Sequence, residues 1–223
     1  LQKRLNIGGI RMKSIYFKGF ELDLLYVIWS CVLSKEKCTI YISDKKTYEL
    51  FESFMYRFEN VSLELITDSV ECNYNLSDIH LKDNRIDNKP LLLTYCKYLD
   101  VPYSLNWRNP IITTNSQGKE VVVSRSLLFH DKPSSWTKLL GEMKEEKFLF
   151  IGNGFECGKF AELNVGKSIE YFPYVTVEEA FTLLQNARVV ITNEGIILGL
   201  CQMSGIPYIL EADLNRNTNF LLN

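Results

Sequence analysis

The sequence is poor in the residues that build metal centres. It holds two histidines, His80 and His130, and its six cysteines include no Cys-x-x-Cys pair. A zinc ribbon and a multi-histidine metal site are therefore excluded, and we expect no metal. Several cysteines lie in apolar segments, where a free thiol behaves as a small hydrophobic group. We therefore expect them to be reduced, in a cytoplasmic protein.

Long hydrophobic runs are also missing. The most apolar stretch, residues 22–33, is interrupted by Asp23, Ser30 and Cys31, and a membrane-spanning helix needs about 20 apolar residues. No small-residue cleavage site follows this stretch, as one would in a secretory signal peptide. The sequence therefore predicts neither a membrane span nor a leader.

An excess of positive charge is absent as well. The chain has 25 Lys and Arg against 27 Asp and Glu, a formal net charge of -2. Coating nucleic acid is therefore disfavoured as a main role, although a local basic groove stays open. Hydrophobic residues make up 46% of the chain, which is enough to build a folded core.

The first part of the chain alternates strand and helix patterns. We predict strands over 14–17, 38–42 and 61–66, and helices over 21–35, 45–58 and 90–99. A β-α-β-α-β order with right-handed crossovers implies a parallel sheet. Residues 68–88 are rich in Asn and Asp and are predicted as a loop, with a possible short strand near His80.

The same alternation restarts after a segment rich in Pro, Asn and Gln. Strands are predicted over 120–124, 148–152, 169–172, 188–192 and 208–211, and helices over 134–146, 156–163, 176–187 and 196–203. This pattern is typical of a doubly wound α/β sheet. We therefore expect an upstream extension or a non-native remnant over 1–12, a Rossmann-like domain over 13–101, a linker over 102–119 and a second Rossmann-like domain over 120–223.

Candidate ligand-binding residues follow the predicted strands of the second half, because open parallel sheets bind ligands at their carboxyl ends. Asn193, Glu194 and Gly195 precede a helix whose N-terminus could bind a phosphate, although Asn193 could equally cap that helix. Ser124 and Arg125 could hold a diphosphate, or Arg125 could be a solvated loop residue. Gly152 and Glu156 lie at another strand exit, which could also be a plain tight turn.

In the first half, Glu21 and Asp23 follow the Gly19 turn. A carboxylate at a cleft could act as a general base on an acceptor hydroxyl. Both acids could instead stabilise the helix N-terminus through its dipole. His80 in the polar loop is a candidate on the acceptor side.

Four segments resemble blocks of the GT-B glycosyltransferases, most closely the heptosyltransferase-like (ADP-heptose:lipopolysaccharide) group. Residues 13–21, with the apolar helix and strand that follow, are similar to that group's opening strand and "GD" turn. Residues 121–124, with Lys132 and Trp136, are similar to the start of its donor domain. Residues 150–156 are similar to its "G-x-x-x-E" strand exit, and residues 187–207 to its "T-N-D-S-G…H-x-A-A-A-x-G-x-P" block.

The resemblance covers most of residues 13–213 and includes clear departures. The group's Asp-Ser-Gly is replaced by Glu194, Gly195 and Ile196, and its histidine by Gly199. Glu21 is the nearest equivalent of the aspartate in its opening turn. The resemblance implies two Rossmann-like halves facing a cleft, with the donor side in the second half.

The function implied by this resemblance is metal-independent, inverting transfer of a sugar from a nucleoside diphosphate sugar to an acceptor hydroxyl, without a further cofactor. Ser124, Arg125, Gly152, Glu156, Asn193, Glu194 and Gly195 would bind the donor, and Glu21 or Asp23 would be catalytic. Two alternatives stay open. One is a phage-type enzyme that glycosylates hydroxylated DNA bases, with a basic strip from Lys82, Arg85, Lys89 and Arg108. The other is a non-catalytic protein of this fold that binds a nucleotide or a partner.

Overall fold

A computed structural model describes residues 6–7, 10–77, 91–102, 110–112, 114, 118–126, 140–143, 147–193 and 195–211. The chain divides into two compact units, one made of residues 1–111 with 217–223 and the other of residues 112–216. The boundary between residues 111 and 112 falls inside the segment predicted as a linker.

The first unit is built on a largely parallel sheet. Its strands are β1 (Asn6–Ile7), β2 (Ile10–Phe17), β3 (Lys37–Ile42), β4 (Val61–Leu65) and β5 (Tyr74–Asn75), and its helices are α1 (Glu21–Ser34), α2 (Lys45–Phe51) and α3 (Leu91–Tyr98). The order is β1-β2-β3-β4, with β5 pairing to β2. Only β1 runs antiparallel among these described strands. Because β3 and β5 lie on opposite sides of β2, the strand order reverses there.

Helix α1 is the buried centre of the first unit. Every residue from Asp23 to Cys31 is buried, as the mostly apolar sequence predicts. The helix ends at Lys35, which adopts a left-handed conformation with φ 57°. Its Trp29 and Tyr26 are among the largest fully buried side chains, and α1 packs against α3.

The second unit is a fully parallel five-stranded sheet. Its strands are β6 (Glu120–Ser124), β7 (Lys147–Ile151), β8 (Ser168–Phe172), β9 (Ala187–Thr192) and β10 (Tyr208–Leu210), and its helices are α4 (Gly154–Leu163), α5 (Val177–Leu184) and α6 (Ile196–Ser204). The order is β10-β9-β6-β7-β8. The chain first builds outward from β6 through β7 and β8, and then returns to the other side of β6 as β9. The strand order therefore reverses between β6 and β9.

Local sequence explains why the helices of the second unit begin where they do. Thr176 and Glu179 form a capping box at the start of α5: the Thr176 side chain accepts from the Glu179 amide, and the Glu179 carboxylate accepts from the Thr176 amide. A Thr followed three residues later by a Glu predicts this arrangement. Asn153 caps α4 by accepting a hydrogen bond from the Glu156 amide. All nine residues of α6 are buried.

The α/β prediction is confirmed, and most predicted elements are present within one or two residues at each end. Two helices differ. The helix predicted over 176–187 ends at Leu184, and the pattern predicted over 45–58 is α-helical only to Phe51 and continues as a 3₁₀ helix over Glu52–Arg57. The first strand is longer than predicted because it begins at Ile10, where it pairs with β1, and continues through Lys13, which is buried. Lys13 forms an ion pair with Glu36 at 3.2 Å and donates a hydrogen bond to the Leu99 carbonyl.

The predictions for the cysteines, for two further elements and for membrane spans can also be compared with the structure. All six cysteines are free thiols. Most of the helix predicted over 134–146 lies outside the described residues, as does the possible strand near His80. Within the described part of the chain, no helix has the length and hydropathy needed to cross a membrane.

Candidate active site

The carboxyl edge of the second sheet carries a buried ion pair. Arg125 follows β6 and is only 3% exposed, and its Nε and Nη2 atoms donate to the two Glu211 carboxylate oxygens at 2.9 and 2.7 Å. Glu211 follows β10, so the pair spans β9 and ties the ends of β6 and β10 together. Bidentate geometry of this kind is the strongest form of a charged hydrogen-bond pair.

This geometry does not fit the interpretation of Arg125 as a forked donor to a diphosphate. If the Arg125 guanidinium turned toward a phosphate, the buried Glu211 carboxylate would lose its bidentate bond with Arg125. Breaking a buried pair in this way costs about 3–5 kcal/mol. We therefore interpret Arg125 as a residue that positions the β6 exit.

Asn193 links the two strand exits at the point where the strand order reverses. It is fully buried, its Oδ1 accepts from the Ser126 amide at 2.9 Å, and its Nδ2 donates to the Ser126 carbonyl at 2.7 Å. Asn193 is therefore not the N-cap of α6, since that position is occupied by Gly195. Like Arg125, it holds the loop after β6 in one conformation.

Gly195 precedes the first residue of α6, and no described residue occupies the space beside its Cα where a side chain would begin. Gly195 has φ 155° and ψ -175°, a region that essentially only glycine adopts. Among the described residues, no side chain caps this helix, and none lies within 4 Å of the position that a Cβ on Gly195 would occupy. A helix N-terminus presents amide donors and a partial positive charge, which suits a phosphate.

A second strand exit of this edge brings together residues 152–156 and Tyr171. Gly152 has φ 149°, and a Cβ there would lie 3.7 Å from a Glu156 carboxylate oxygen. Tyr171 at the end of β8 donates its hydroxyl to the Gly152 carbonyl at 3.2 Å, and Phe155 is 68% exposed. The turn therefore presents a partly buried carboxylate and an aromatic ring. Ser124, the last residue of β6, is half-buried.

The first unit carries a buried carboxylate in the turn after β2. Asp23 is 4% exposed and lies in the first turn of α1, where its carboxylate accepts hydrogen bonds from the Phe20 amide and the Tyr95 hydroxyl. Its Oδ2 would lie 3.6 Å from a Cβ on Gly19, so the side chain folds beneath the glycine turn. Glu21 in the same turn is half-buried.

Burial dominates the electrostatics of Asp23. Desolvation raises the pKa of Asp23 from 3.8 to about 7, and the hydrogen bonds from Phe20 and Tyr95 only partly offset that effect. The pKa of the Tyr95 phenol is also raised, by burial and by the neighbouring carboxylate. A carboxylate with a pKa near 7 has the basicity that a general base needs at neutral pH. Asp23 therefore has a property of a catalytic base, although its two bonds also stabilise the start of α1.

Sequence reasoning missed the partners of these residues. Tyr95 lies in an apolar helix and gives no signal beyond core packing. Glu211 gives a weak signal, since it is a charged residue directly after an apolar strand. Ser126 bonds to Asn193 through backbone atoms, which no residue pattern indicates.

Two candidates cannot be placed. Glu194 and His80 lie outside the described residues, and so do the second histidine, His130, and the basic residues of the proposed DNA-binding strip, Lys82, Arg85, Lys89 and Arg108. Among the residues that the structure describes, no group of three or more His, Cys, Asp or Glu side chains could hold a metal ion.

The chain is similar in fold to several solved structures of glycosyltransferases. The chain is similar to a family 9 glycosyltransferase from Veillonella parvula, with TM-score 0.59 and 9% identity over 89% of this chain and 79% of that chain. It is also similar to the E. coli heptosyltransferase WaaC with ADP-2-deoxy-2-fluoro heptose, with TM-score 0.61 and 11% identity over 90% and 88% of the two chains. A third match is the dodecameric heptosyltransferase TibC in complex with ADP-D-beta-D-heptose, with TM-score 0.51 and 14% identity over 90% and 58%.

No protein-family model matches the sequence, and no curated protein matches it. At these identities the structural likeness establishes the fold. The chain has the heptosyltransferase-like GT-B fold, with a Rossmann-like sheet in each unit.

Proposed function

We propose that this protein is a glycosyltransferase that moves a sugar from a nucleoside diphosphate sugar to an acceptor hydroxyl. The observation that carries the proposal is the α6 N-terminus. No described residue lies within 4 Å of a Cβ at Gly195, and this terminus follows a strand at the reversal point of a sheet with the heptosyltransferase-like fold. The similar WaaC structures contain ADP and ADP-2-deoxy-2-fluoro heptose, which supports a nucleotide sugar as donor.

The donor diphosphate binds at the first turn of α6. Its oxygens accept hydrogen bonds from the amides that follow Gly195, and the helix dipole favours their negative charge. Asn193 and Arg125 position the neighbouring loop, while Ser124 and Glu194 complete the donor side. Amide donors fixed in this way neutralise the leaving diphosphate, so the reaction needs no metal.

Glu156 binds hydroxyl groups of the donor. Its carboxylate lies close to Gly152, at the turn that follows β7. Ionised carboxylates are acceptor-only groups, and they bind hydroxyl donors well. The exposed ring of Phe155, one residue earlier, offers an apolar face to the same ligand.

Asp23 is the general base. It takes the proton from the acceptor hydroxyl, whose oxygen attacks the anomeric carbon. The bond from that carbon to the diphosphate oxygen breaks, the nucleoside diphosphate leaves, and the anomeric configuration inverts. Glu21 is the alternative base, because it is the more exposed of the two acids in this turn.

Binding of nucleotide sugars to matched variants tests the donor site. Thermal shifts are measured for wild type, Glu156→Gln and the control Glu162→Gln, which changes an exposed acid on the same helix. A ligand at 100 times its Kd stabilises the folded state by about 2.7 kcal/mol. We expect a selective shift with one donor class that only Glu156→Gln weakens. Equal weakening by the two variants contradicts the assignment of Glu156, and no shift with any nucleotide contradicts the donor site.

A non-catalytic nucleotide-binding protein is the second candidate. The observation that favours it is Asp23, whose carboxylate is nearly inaccessible and already accepts from Phe20 and Tyr95. Selective donor binding with no release of nucleoside diphosphate would support this candidate over the transferase.

A further inference from the structure

A cavity of about 420 Å³ opens at the carboxyl edge of the first sheet. It is lined by Tyr16 of β2 and Asn75 of β5, by Ser43 just after β3, and by residues 66–70 of the loop that follows β4. The cavity includes residues of β2 and β5, between which the strand order of this unit reverses. Open α/β sheets bind their ligands at such a reversal, outside the carboxyl ends of the strands.

Several polar groups of this cavity are held in place before any ligand binds. The hydroxyls of Tyr16 and Ser43 are 3.2 Å apart and form a hydrogen bond. The Oδ1 atom of Asn75 accepts from both the amide and the hydroxyl of Ser77, at 3.0 and 2.7 Å, which fixes the orientation of its side-chain amide. A preorganised set of hydroxyl and amide groups lowers the entropic cost of binding a polar ligand.

The strand ends that carry these side chains are tied by backbone bonds. The Ile66 amide donates to the Ile42 carbonyl at 2.9 Å, and the Leu76 amide donates to the Tyr16 carbonyl at 2.8 Å. Tyr16 and Asn75 therefore lie on paired strands, and Ile66 directly follows one. Groups at these positions keep a more constant geometry than the side chains of the loop residues 67–70.

The charge of the cavity argues against an anionic ligand. Its described lining residues include the carboxylate of Asp68 and no Lys or Arg. The segment 66–73, which connects β4 to β5 and contributes most of the lining residues, contains Asp68 and Glu71 and no basic residue. Phosphate recognition normally relies on Arg, Lys or clustered backbone amides, so a phosphorylated sugar or a nucleic acid backbone would meet repulsion here.

The chemistry of the lining matches an uncharged polyhydroxylated ligand. Hydroxyls of Tyr, Ser and Thr both donate and accept, a carboxylate accepts from two neighbouring hydroxyls, and a side-chain amide does both. Ile66 and Val70 add the apolar surface on which the C–H face of a sugar ring can pack. Pockets that combine apolar walls with a few placed polar groups are typical of small-molecule sites.

We propose that this cavity binds the acceptor as a neutral sugar unit with free vicinal hydroxyls and no phosphate. That the bound sugar is the acceptor rests on the proposed function. Sugar binding at this cavity can be tested independently of that function. Tyr16 and Asp68 carry the recognition, and the cavity belongs entirely to the first unit.

Saturation-transfer NMR on the full chain tests the proposal. The probes are methyl glucoside, methyl galactoside, methyl mannoside and methyl N-acetylglucosaminide, each compared with glucose 6-phosphate and a single-stranded oligonucleotide. The variants are Tyr16→Phe and Asp68→Asn. Their matched controls are Tyr56→Phe, which changes an exposed tyrosine outside the cavity, and Glu59→Gln, which changes an exposed acid next to the amino end of β4. Circular dichroism checks that each variant is folded.

We expect at least one neutral glycoside to bind at millimolar concentration, more tightly than glucose 6-phosphate. Each cavity variant should weaken that binding by about fivefold or more, as the loss of one good hydrogen bond predicts, while the controls leave it unchanged. Absence of binding by all four glycosides at about 50 mM, or preference for the phosphate or the oligonucleotide, overturns the proposal. So does binding that neither cavity variant weakens.

Donor binding, measured separately, shows which proposal has failed. If the donor binds and releases nucleoside diphosphate but no neutral glycoside binds, only the acceptor assignment is overturned. If a glycoside binds at this cavity and no nucleotide sugar does, the cavity stands as a sugar site and the transferase proposal fails.

Discussion

Replacing Asp23 by Asn should remove most of the pH dependence that the Asp23 carboxyl gives to the free energy of unfolding. The substitution keeps the size and an accepting oxygen of the side chain but removes its charge. The Asp23 carboxyl is almost fully buried, and its pKa is raised from 3.8 to about 7. Between those two values the folded state holds a proton that the unfolded state has lost.

The sign and size of the effect follow from this difference. Because the folded state binds more protons between pH 4 and pH 7, the free energy of unfolding falls as the pH rises through that range. A difference of about three pKa units corresponds to about 4 kcal/mol between the two extremes, of which roughly 2–3 kcal/mol are lost between pH 5 and pH 8. The stabilisation is complete below the unfolded pKa and is lost as the pH rises through the folded one.

Urea unfolding at pH 5 and pH 8, followed by far-UV circular dichroism, measures this loss. Wild type should be less stable at pH 8, and Asp23→Asn should show a difference smaller by roughly 2–3 kcal/mol. Glu21→Gln, in the same helical turn, is the matched control and should keep the wild-type slope. A carbon-13 titration of the labelled Asp carboxyls gives the pKa directly. An Asp23 pKa near 4, or equal slopes for wild type and Asp23→Asn, would refute the reasoning.

Three further predictions concern activity and the second unit. If Asp23 is the base, kcat/KM should decrease as the pH is lowered below about 7, and Asp23→Asn should lower kcat/KM by about a hundredfold or more. A loss of activity confined to Glu21→Gln would assign the role of base to Glu21. Glu211→Gln should lower the free energy of unfolding, measured with urea, by about 3–5 kcal/mol, because it leaves the buried guanidinium of Arg125 without this charged partner. An unchanged urea midpoint would contradict this prediction. Gly195→Ala should cost about 1–3 kcal/mol and weaken donor binding, because φ is 155° there. Gly158→Ala in α4, where no described residue lies within 4 Å of the added methyl, should instead stabilise by roughly 0.5–1 kcal/mol. A matching effect of the two alanines would argue against strain at Gly195.

Regular elements with strong local signals could be predicted from the sequence. The valine-rich strand β6 and the capped helix α5 both have the predicted start, since their signals lie within a few neighbouring residues. The 3₁₀ continuation after Phe51 could not be predicted, because it shares the apolar spacing of an α-helix over so short a stretch.

The candidate site was predictable only as a set of positions at strand ends. That Asn193 and Arg125 each follow a strand is a consequence of the alternating pattern, whereas the pairing of these two strands is not. The partners of Asn193 and Arg125 are not either, because Ser126 and Glu211 are 67 and 86 residues away along the chain. The raised pKa of Asp23 has the same origin, since it depends on burial against α3 and on Tyr95 of that distant helix.

Phosphorus-31 NMR of the protein mixed with ADP-, UDP- and GDP-sugars, with and without the neutral glycosides, tests the central claim most directly. The account predicts that one nucleotide sugar releases its nucleoside diphosphate, faster when a bound glycoside is present, and that Gly195→Ala slows this release. Binding of no nucleotide sugar, or release that Gly195→Ala leaves unchanged, would contradict a donor site at the start of α6.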